Sequence, residues 1–179
     1  MNVSGTDLGR SDLGHVVAAT LEATGLDPGC LKLELTETSV ISARETAAET
    51  LRQLRQLGVG VPLDDFGTGY STLNSIRQLP IDEVKIGREL LAPLPASRDD
   101  LALLASLIAI VHTLGLKVVA EGVETEEQLG FLQRHGGDLA QGFLISRPLP
   151  PAAVPELLRR SSSPEEALHR ALSGRVIPS

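Results

Sequence analysis

The stretch VPLDDFGTGYSTL, Val61–Leu73, sets two adjacent aspartates directly after an apolar run and before a glycine-broken loop. Two like charges at the end of a buried strand cost free energy unless something neutralises them. Taken alone, the pair also fits a helix N-cap or a turn, where Asp is common. The remaining strand candidates decide between these readings.

Working outward, short β-rich runs alternate with amphipathic helical segments. The runs are LKLELTE (Leu31–Glu37), VGVPLDD (Val59–Asp65), EVKIG (Glu83–Gly87), KVVAEGV (Lys117–Val123) and LAQGFLI (Leu139–Ile145). Their starts lie 28, 24, 34 and 22 residues apart. That is the length of a strand–helix unit, and parallel neighbours need such a crossover. Ser42 with Glu45 reads as a capping box for a helix carrying Leu51, Leu54 and Leu57, and Gly58 stands at its stop. Thr125 with Gln128 repeats the start signal and Gly136 the stop. Leu101, Leu104, Leu107, Ile108, Val111 and Leu114 share one helical face ahead of Gly115, and Val16, Val17 and Leu21 precede Gly25 in the same manner. Repeated units of this kind imply an α/β fold with a parallel sheet, either open or closed into a barrel.

The composition bounds the function. The chain has 179 residues, 42% of them hydrophobic and only 2% aromatic, with no Trp. One ordinary domain with an aliphatic core follows. Net charge is −7 and no Lys/Arg-rich run occurs, which argues against a general DNA or RNA binder. Cys30 is the sole cysteine; it excludes an internal disulfide and is expected to be a small buried apolar residue. Neither a secretory signal nor a membrane segment is evident, so a cytoplasmic location is expected. The histidines, His15, His112, His135 and His169, all fall in helical segments and are expected to be surface or core residues.

In parallel α/β folds, chemistry gathers at the carboxyl ends of the strands. Glu34, Glu37, Asp64, Asp65, Lys85, Glu121 and Glu124 stand at such ends, and Gln141 lies in the last strand. An oxygen-rich set without nearby Cys suits hard divalent ions such as Mg2+ or Mn2+. Two ions held ~3.5–4 Å apart need a bridging ligand and a separate ligand for each. Asp64 pointing into the pole, with Asp65 turned to a second ion by the Gly67 and Gly69 bend, would meet that need.

The segments ELTET, DDFGTGYSTL, VKIG, VVAEGVET and AQGFLISRPLP, in this order and spacing, resemble the EAL domain family. MNVSG resembles the family's Asn-Val-Ser at the end of its third strand, and the likeness runs from Met1 to about Pro150. The resemblance implies a modified TIM-type (β/α)8 barrel and hydrolysis of cyclic di-GMP to pGpG with two Mg2+ or Mn2+ ions. It implies that Asn2, Glu34 and Asp64 bind the first metal, that Asp64 bridges, that Asp65 binds the second, and that Glu121 completes the shell. Lys85 would orient or deprotonate the attacking water, and Gln141 would position it. Glu37 would hold the loop Phe66–Ser71, which couples metal binding to homodimerisation. For Arg147, a phosphate contact and a plain ion pair both stay open. Glu124 reads as a helix-start residue or loop anchor.

Two departures matter. Gly87 stands where the family usually has an acidic residue, and its loss is expected to weaken the site. A full barrel of this type takes about 250 residues, whereas here only about five complete strand–helix units follow the stub MNVS. The fold expected is therefore an incomplete barrel, lacking the first strands and the Glu-Ala-Leu segment with its metal-binding glutamate and substrate-contacting arginine. Its end strands would expose apolar faces. A truncated reading of a longer gene, with a GTG valine codon taken as the start, is one expectation. The domain is expected over 1–160, followed by a Ser/Pro break and short helical tail over 161–179. Two functions follow: a cyclic di-GMP phosphodiesterase, weak or inactive as this chain alone, or a degenerate module that binds nucleotide or a protein partner without catalysis.

Overall fold

The computed structural model describes residues 1–10, 12–67, 76–77, 79–92 and 98–160, apart from the side chains at 37, 41–47, 65, 98, 158 and 160. The tail piece PEEALHRAL, with His169, lies outside the described residues. The chain divides into two compact units, Met1–Lys85 and Ile86–Ser179.

The first unit runs β1 (Asn2–Val3), α1 (Gly5–Leu8), α2 (Leu13–Thr24), a 3-10 turn (Pro28–Cys30), β2 (Glu34–Thr36), α3 (Glu37–Gln56), β3 (Pro62–Phe66) and β4 (Glu83–Ile86), whose last residue opens the second unit. The strands are ordered β1-β2-β3-β4. β1 pairs with β2, and β2 with β3, in parallel. Val3, Leu35 and Leu63 are buried in consecutive register on one face. Leu51 and Leu54 of α3 and Val17 and Leu21 of α2 are buried too. Alternation along each strand therefore turns Asn2, Glu34 and Asp64 to the opposite face.

The α/β class and parallel pairing are as expected, but several boundaries move. α3 begins at Glu37, not after Ser42, because the Thr36 side chain already caps it by accepting from the Ser39 amide at 3.3 Å. Glu37 is thus the first residue of a helix rather than the end of a strand. Cys30 is exposed, contrary to expectation, because it ends a 3-10 turn that Asp27 caps at the Gly29 amide. The expected apolar edge is seen beside β1, where a cavity of about 720 Å3 is lined by Met1, Val16, Val17, Leu21, Leu26 and Leu33 among others.

The second unit runs α4 (Arg88–Leu91), α5 (Arg98–Thr113), β5 (Lys117–Glu121), α6 (Glu126–His135), β6 (Leu139–Gln141), a 3-10 turn (Pro151–Ala153) and α7 (Val154–Arg160). β5 and β6 are parallel, with Glu121 opposite Gln141. Val118, Val119 and Ala120 are all buried, a run expected of a strand covered on both faces. Helix α5 packs on β5 with Leu104, Ile108 and Val111 inward. The Thr125/Gln128 capping box opens α6, and Gly136 closes it in the left-handed region at φ 84°. Thr125→Ala removes that cap and is expected to cost about 1 kcal/mol of stability, read from the urea midpoint. β6 ends at Gln141 instead of continuing to Ile145. The chain turns there, with Ile145 and Ser146 amides both donating to the Gly142 carbonyl at 3.1 Å.

Candidate active site

The first unit assembles its polar residues around β4. Val84, Lys85 and Ile86 are all buried, and Lys85 is only 6% exposed. An ammonium at that depth needs partners. Lys85 Nζ lies 2.9 Å from Glu34 Oε2 and 3.7 Å from Asp64 Oδ1. The strand register accounts for this meeting: Asn2 stands opposite Glu34, and Thr36 opposite Asp64. Asn2, Glu34, Asp64 and Lys85 thus occupy one neighbourhood of parallel strands.

Local contacts hold these strands in place. Ser4 caps α1 through a reciprocal box with Asp7 and so fixes the chain as it leaves β1 and Asn2. The Ser4 hydroxyl donates to Asp7 Oδ2 at 2.5 Å and, with the Ser4 amide, holds the Asp7 carboxyl below its ordinary range. Asp82 accepts from the Val61 amide at 3.1 Å and pairs with Arg55 at 2.6 Å, clamping the entry of β4 to β3 and α3. Lys32 pairs with Glu83 at 2.8 Å. The Asp82 and Lys32–Glu83 clamps went unseen in the sequence because they join residues far apart in the chain, whereas the Ser4/Asp7 box is a local Ser-x-x-Asp signal that was readable there.

The fit of divalent ions can be judged from the donors. Asn2, Glu34 and Asp64 offer amide and carboxylate oxygens on one strand face, the donor type that hard cations take. Among the described residues, no three His, Cys, Asp or Glu side chains stand grouped as a ready metal cage. Here the Lys85 ammonium supplies the positive charge between Glu34 and Asp64. The donor chemistry suits a hard divalent cation. The side chains of Asp65 and Glu37, and the loop from Thr68 to Ser71, fall outside the described residues.

The second unit carries Glu121 and Gln141 side by side, the last residues of β5 and β6. Glu121 is half-buried and Gln141 exposed. Glu124 acts as a loop anchor, as one reading of the sequence holds: its amide donates to Gln128 Oε1 at 2.7 Å and its carboxylate pairs with Arg88 at 3.2 Å. Gln128 in turn donates from Nε2 to the Leu91 carbonyl at 3.2 Å, tying α6 to α4. The turn between β5 and Glu124 demands glycine at 122. Its φ is 66°, and a Cβ there would lie 2.8 Å from the Arg88 side chain. Gly87 is the N-cap of α4 and makes no side-chain capping bond. Arg147 has its guanidinium carbon 4.9 Å from the Phe143 ring centroid. Phe143 was not singled out in the sequence.

Parallel strands alternating with helices, with carboxylates and a buried lysine on one strand face, define an α/β domain of the barrel type whose strands carry the site. A model of the EAL domain matches residues 1–148, and the chain belongs to the EAL domain family. It is 45% identical over 159 residues to the cyclic di-GMP phosphodiesterase NbdA of Pseudomonas aeruginosa, covering 89% of this chain and 20% of that protein. The chain thus spans about a fifth of that relative's length. Among solved structures, the EAL domain of Mycobacterium smegmatis DcpA superposes with a TM-score of 0.83 at 42% identity, covering 89% of this chain and 71% of that one. Klebsiella pneumoniae BlrP1, in a manganese/cy-diGMP complex, gives a TM-score of 0.74 at 37% identity, covering 82% and 38%. No helix among the described residues is long and apolar enough to cross a membrane.

Proposed function

We propose that this chain is a cyclic di-GMP phosphodiesterase module that opens the cyclic dinucleotide to pGpG in the cytoplasm. The observation that carries the reading is Lys85, buried and held between Glu34 and Asp64 on the strand face that also bears Asn2. Asn2, Glu34 and Asp64 would hold a first divalent ion, with Asp64 shared with a second ion at Asp65. Glu121 is assigned to the same shell. When bound, such ions supply charge neutralisation on the phosphoryl oxygens and a more acidic water. Lys85 donates hydrogen bonds that orient Glu34, Asp64 and the attacking water. Gln141 positions that water through its side-chain amide. The water oxygen bonds to phosphorus, the bond from phosphorus to the 3′ oxygen breaks, and the displaced oxygen takes up a proton. Glu37 secures the loop Phe66–Ser71, which mediates homodimerisation in this reading.

The test is single-turnover hydrolysis with the full chain in excess over cyclic di-GMP, in Mg2+ or Mn2+. Formation of pGpG that stops on chelation supports the assignment. Tight cyclic di-GMP binding without pGpG would replace it with a non-catalytic binding module. Gly87, which follows the Lys85 strand and offers no carboxylate where the family usually has one, favours that second reading.

A further inference from the structure

Gln128 joins Thr50 and Lys85 as the buried polar side chains among the described residues, and it is only 6% exposed. It stands at the third position of α6, where a capping box takes either Gln or Glu. The box alone leaves that choice open, since a carboxylate accepts from the same amides and suits a helix N-terminus. The contacts of the side chain decide it. Oε1 accepts from the Glu124 amide at 2.7 Å and from the Thr125 amide at 3.1 Å, while Nε2 donates to the Leu91 carbonyl at 3.2 Å. A carboxylate has no proton for that last bond, and its charge would be buried beside a carbonyl oxygen. The amide is therefore demanded by a contact with α4 that capping does not explain.

The segment that Gln128 grips runs directly on from Glu121. Gly122, at φ 66°, packs against the Arg88 stem of α4. Val123 is fully buried, and its amide donates to the Gln141 carbonyl at 3.0 Å. Glu124 pairs with Arg88 at 3.2 Å, but both side chains are exposed and such a pair contributes little. The buried bonds of Gln128 are the stronger tie between this turn and α4, because losing them strands desolvated polar groups. We propose that Gln128 is a positioning residue for Glu121: its carboxamide fixes the turn from Gly122 to Thr125 against α4 and so sets where the Glu121 carboxylate stands for a divalent ion. This rests on the phosphodiesterase reading above, which assigns Glu121 to the ion shell. It adds a residue that acts through Glu121 and not by its own contact with the ion.

Gln128→Met keeps a similar volume and removes all three side-chain bonds. Mn2+ binding to the full chain, followed by the paramagnetic resonance of the free ion, is expected to weaken about tenfold. Hydrogen exchange at the Glu124 and Thr125 amides is expected to quicken. In a Glu121→Gln background the same substitution should add no further loss of Mn2+ affinity, because the two residues act as one unit. Thr125→Ala is the control. It removes the hydroxyl that accepts from the Gln128 amide and leaves the Oε1 bonds in place, so parent-like Mn2+ affinity is expected despite a weaker helix cap. Where Gln128→Met does not fold, Gln128→Glu keeps the acceptor and loses the Leu91 bond, and the same Glu121-dependent weakening is expected. Parent-like Mn2+ affinity in the Gln128 variants, or an equal loss with and without the Glu121 carboxylate, would overturn the positioning role and leave the phosphodiesterase reading standing. A parent chain that binds no Mn2+, alone or with cyclic di-GMP, would overturn both.

Discussion

Lys85→Ala is expected to lower cyclic di-GMP turnover by about 10²–10⁴-fold, the range for losing a positioned proton-transfer or water-orienting group. The same substitution should also reduce stability, and the magnitudes separate the two effects. Breaking a fully buried ion pair costs about 3–5 kcal/mol, because an uncompensated charge is left inside. Glu34 and Asp64 are respectively 26% and 18% exposed at their side chains, so water offsets part of that loss and about 1–3 kcal/mol is expected. The two carboxylates would then face one another without the ammonium, and added Mg2+ should recover more stability in the variant than in the parent. Lys85→Met distinguishes packing from chemistry. It keeps an unbranched apolar side chain on the buried face of β4 that Lys85 occupies but donates no hydrogen bond, so its stability should exceed that of Lys85→Ala while its turnover stays equally low. Turnover within threefold of the parent in both variants would remove Lys85 from the site.

The legibility of this chain followed the range of the interactions. Where a signal is local, sequence and structure agree: Thr125, Gln128 and Gly136 mark both ends of α6 as expected. Gly25 and Gly115 adopt the positive φ their positions suggested. Where two local signals compete, the tertiary context decides. Ser42 and Glu45 form a plausible box, but Thr36 caps first because β2 hands its chain straight into α3. The acidic strand ends were legible as a class, because carboxylates in apolar runs demand neutralisation. Which of them meets Lys85 was not, because that depends on the β1–β2–β3 register across residues 2 to 64. Likewise, LAQGFLI reads as one strand by composition. The clamp of Gly142 on Val123, from another segment, ends it at Gln141 and turns Phe143 out to solvent.

That clamp predicts the other large effect. Gly142→Ala is expected to cost about 3 kcal/mol or more, at the upper end for overpacking, and to abolish turnover. The added Cβ would meet the Val123 carbonyl oxygen at 2.1 Å and its amide nitrogen at 2.3 Å. These are backbone atoms, which cannot swing aside as a side chain would. Relief must come from parting the two segments, and the bonds at stake are those from the Val123 and Leu144 amides. Gln141 and Phe143 flank the clash on either side, so both leave their places together. Gly115→Ala supplies the contrast. Its φ is 75° but nothing lies within 4 Å of the new Cβ, so only backbone strain of about 1 kcal/mol applies, with turnover unchanged. Urea midpoints compare the two costs on one scale. A Gly142→Ala protein as stable as Gly115→Ala, and binding cyclic di-GMP like the parent, would mean that the turn can open without disturbing Gln141. Full loss of turnover at modest cost in stability would instead tie the clamp to the placement of Gln141 and Phe143.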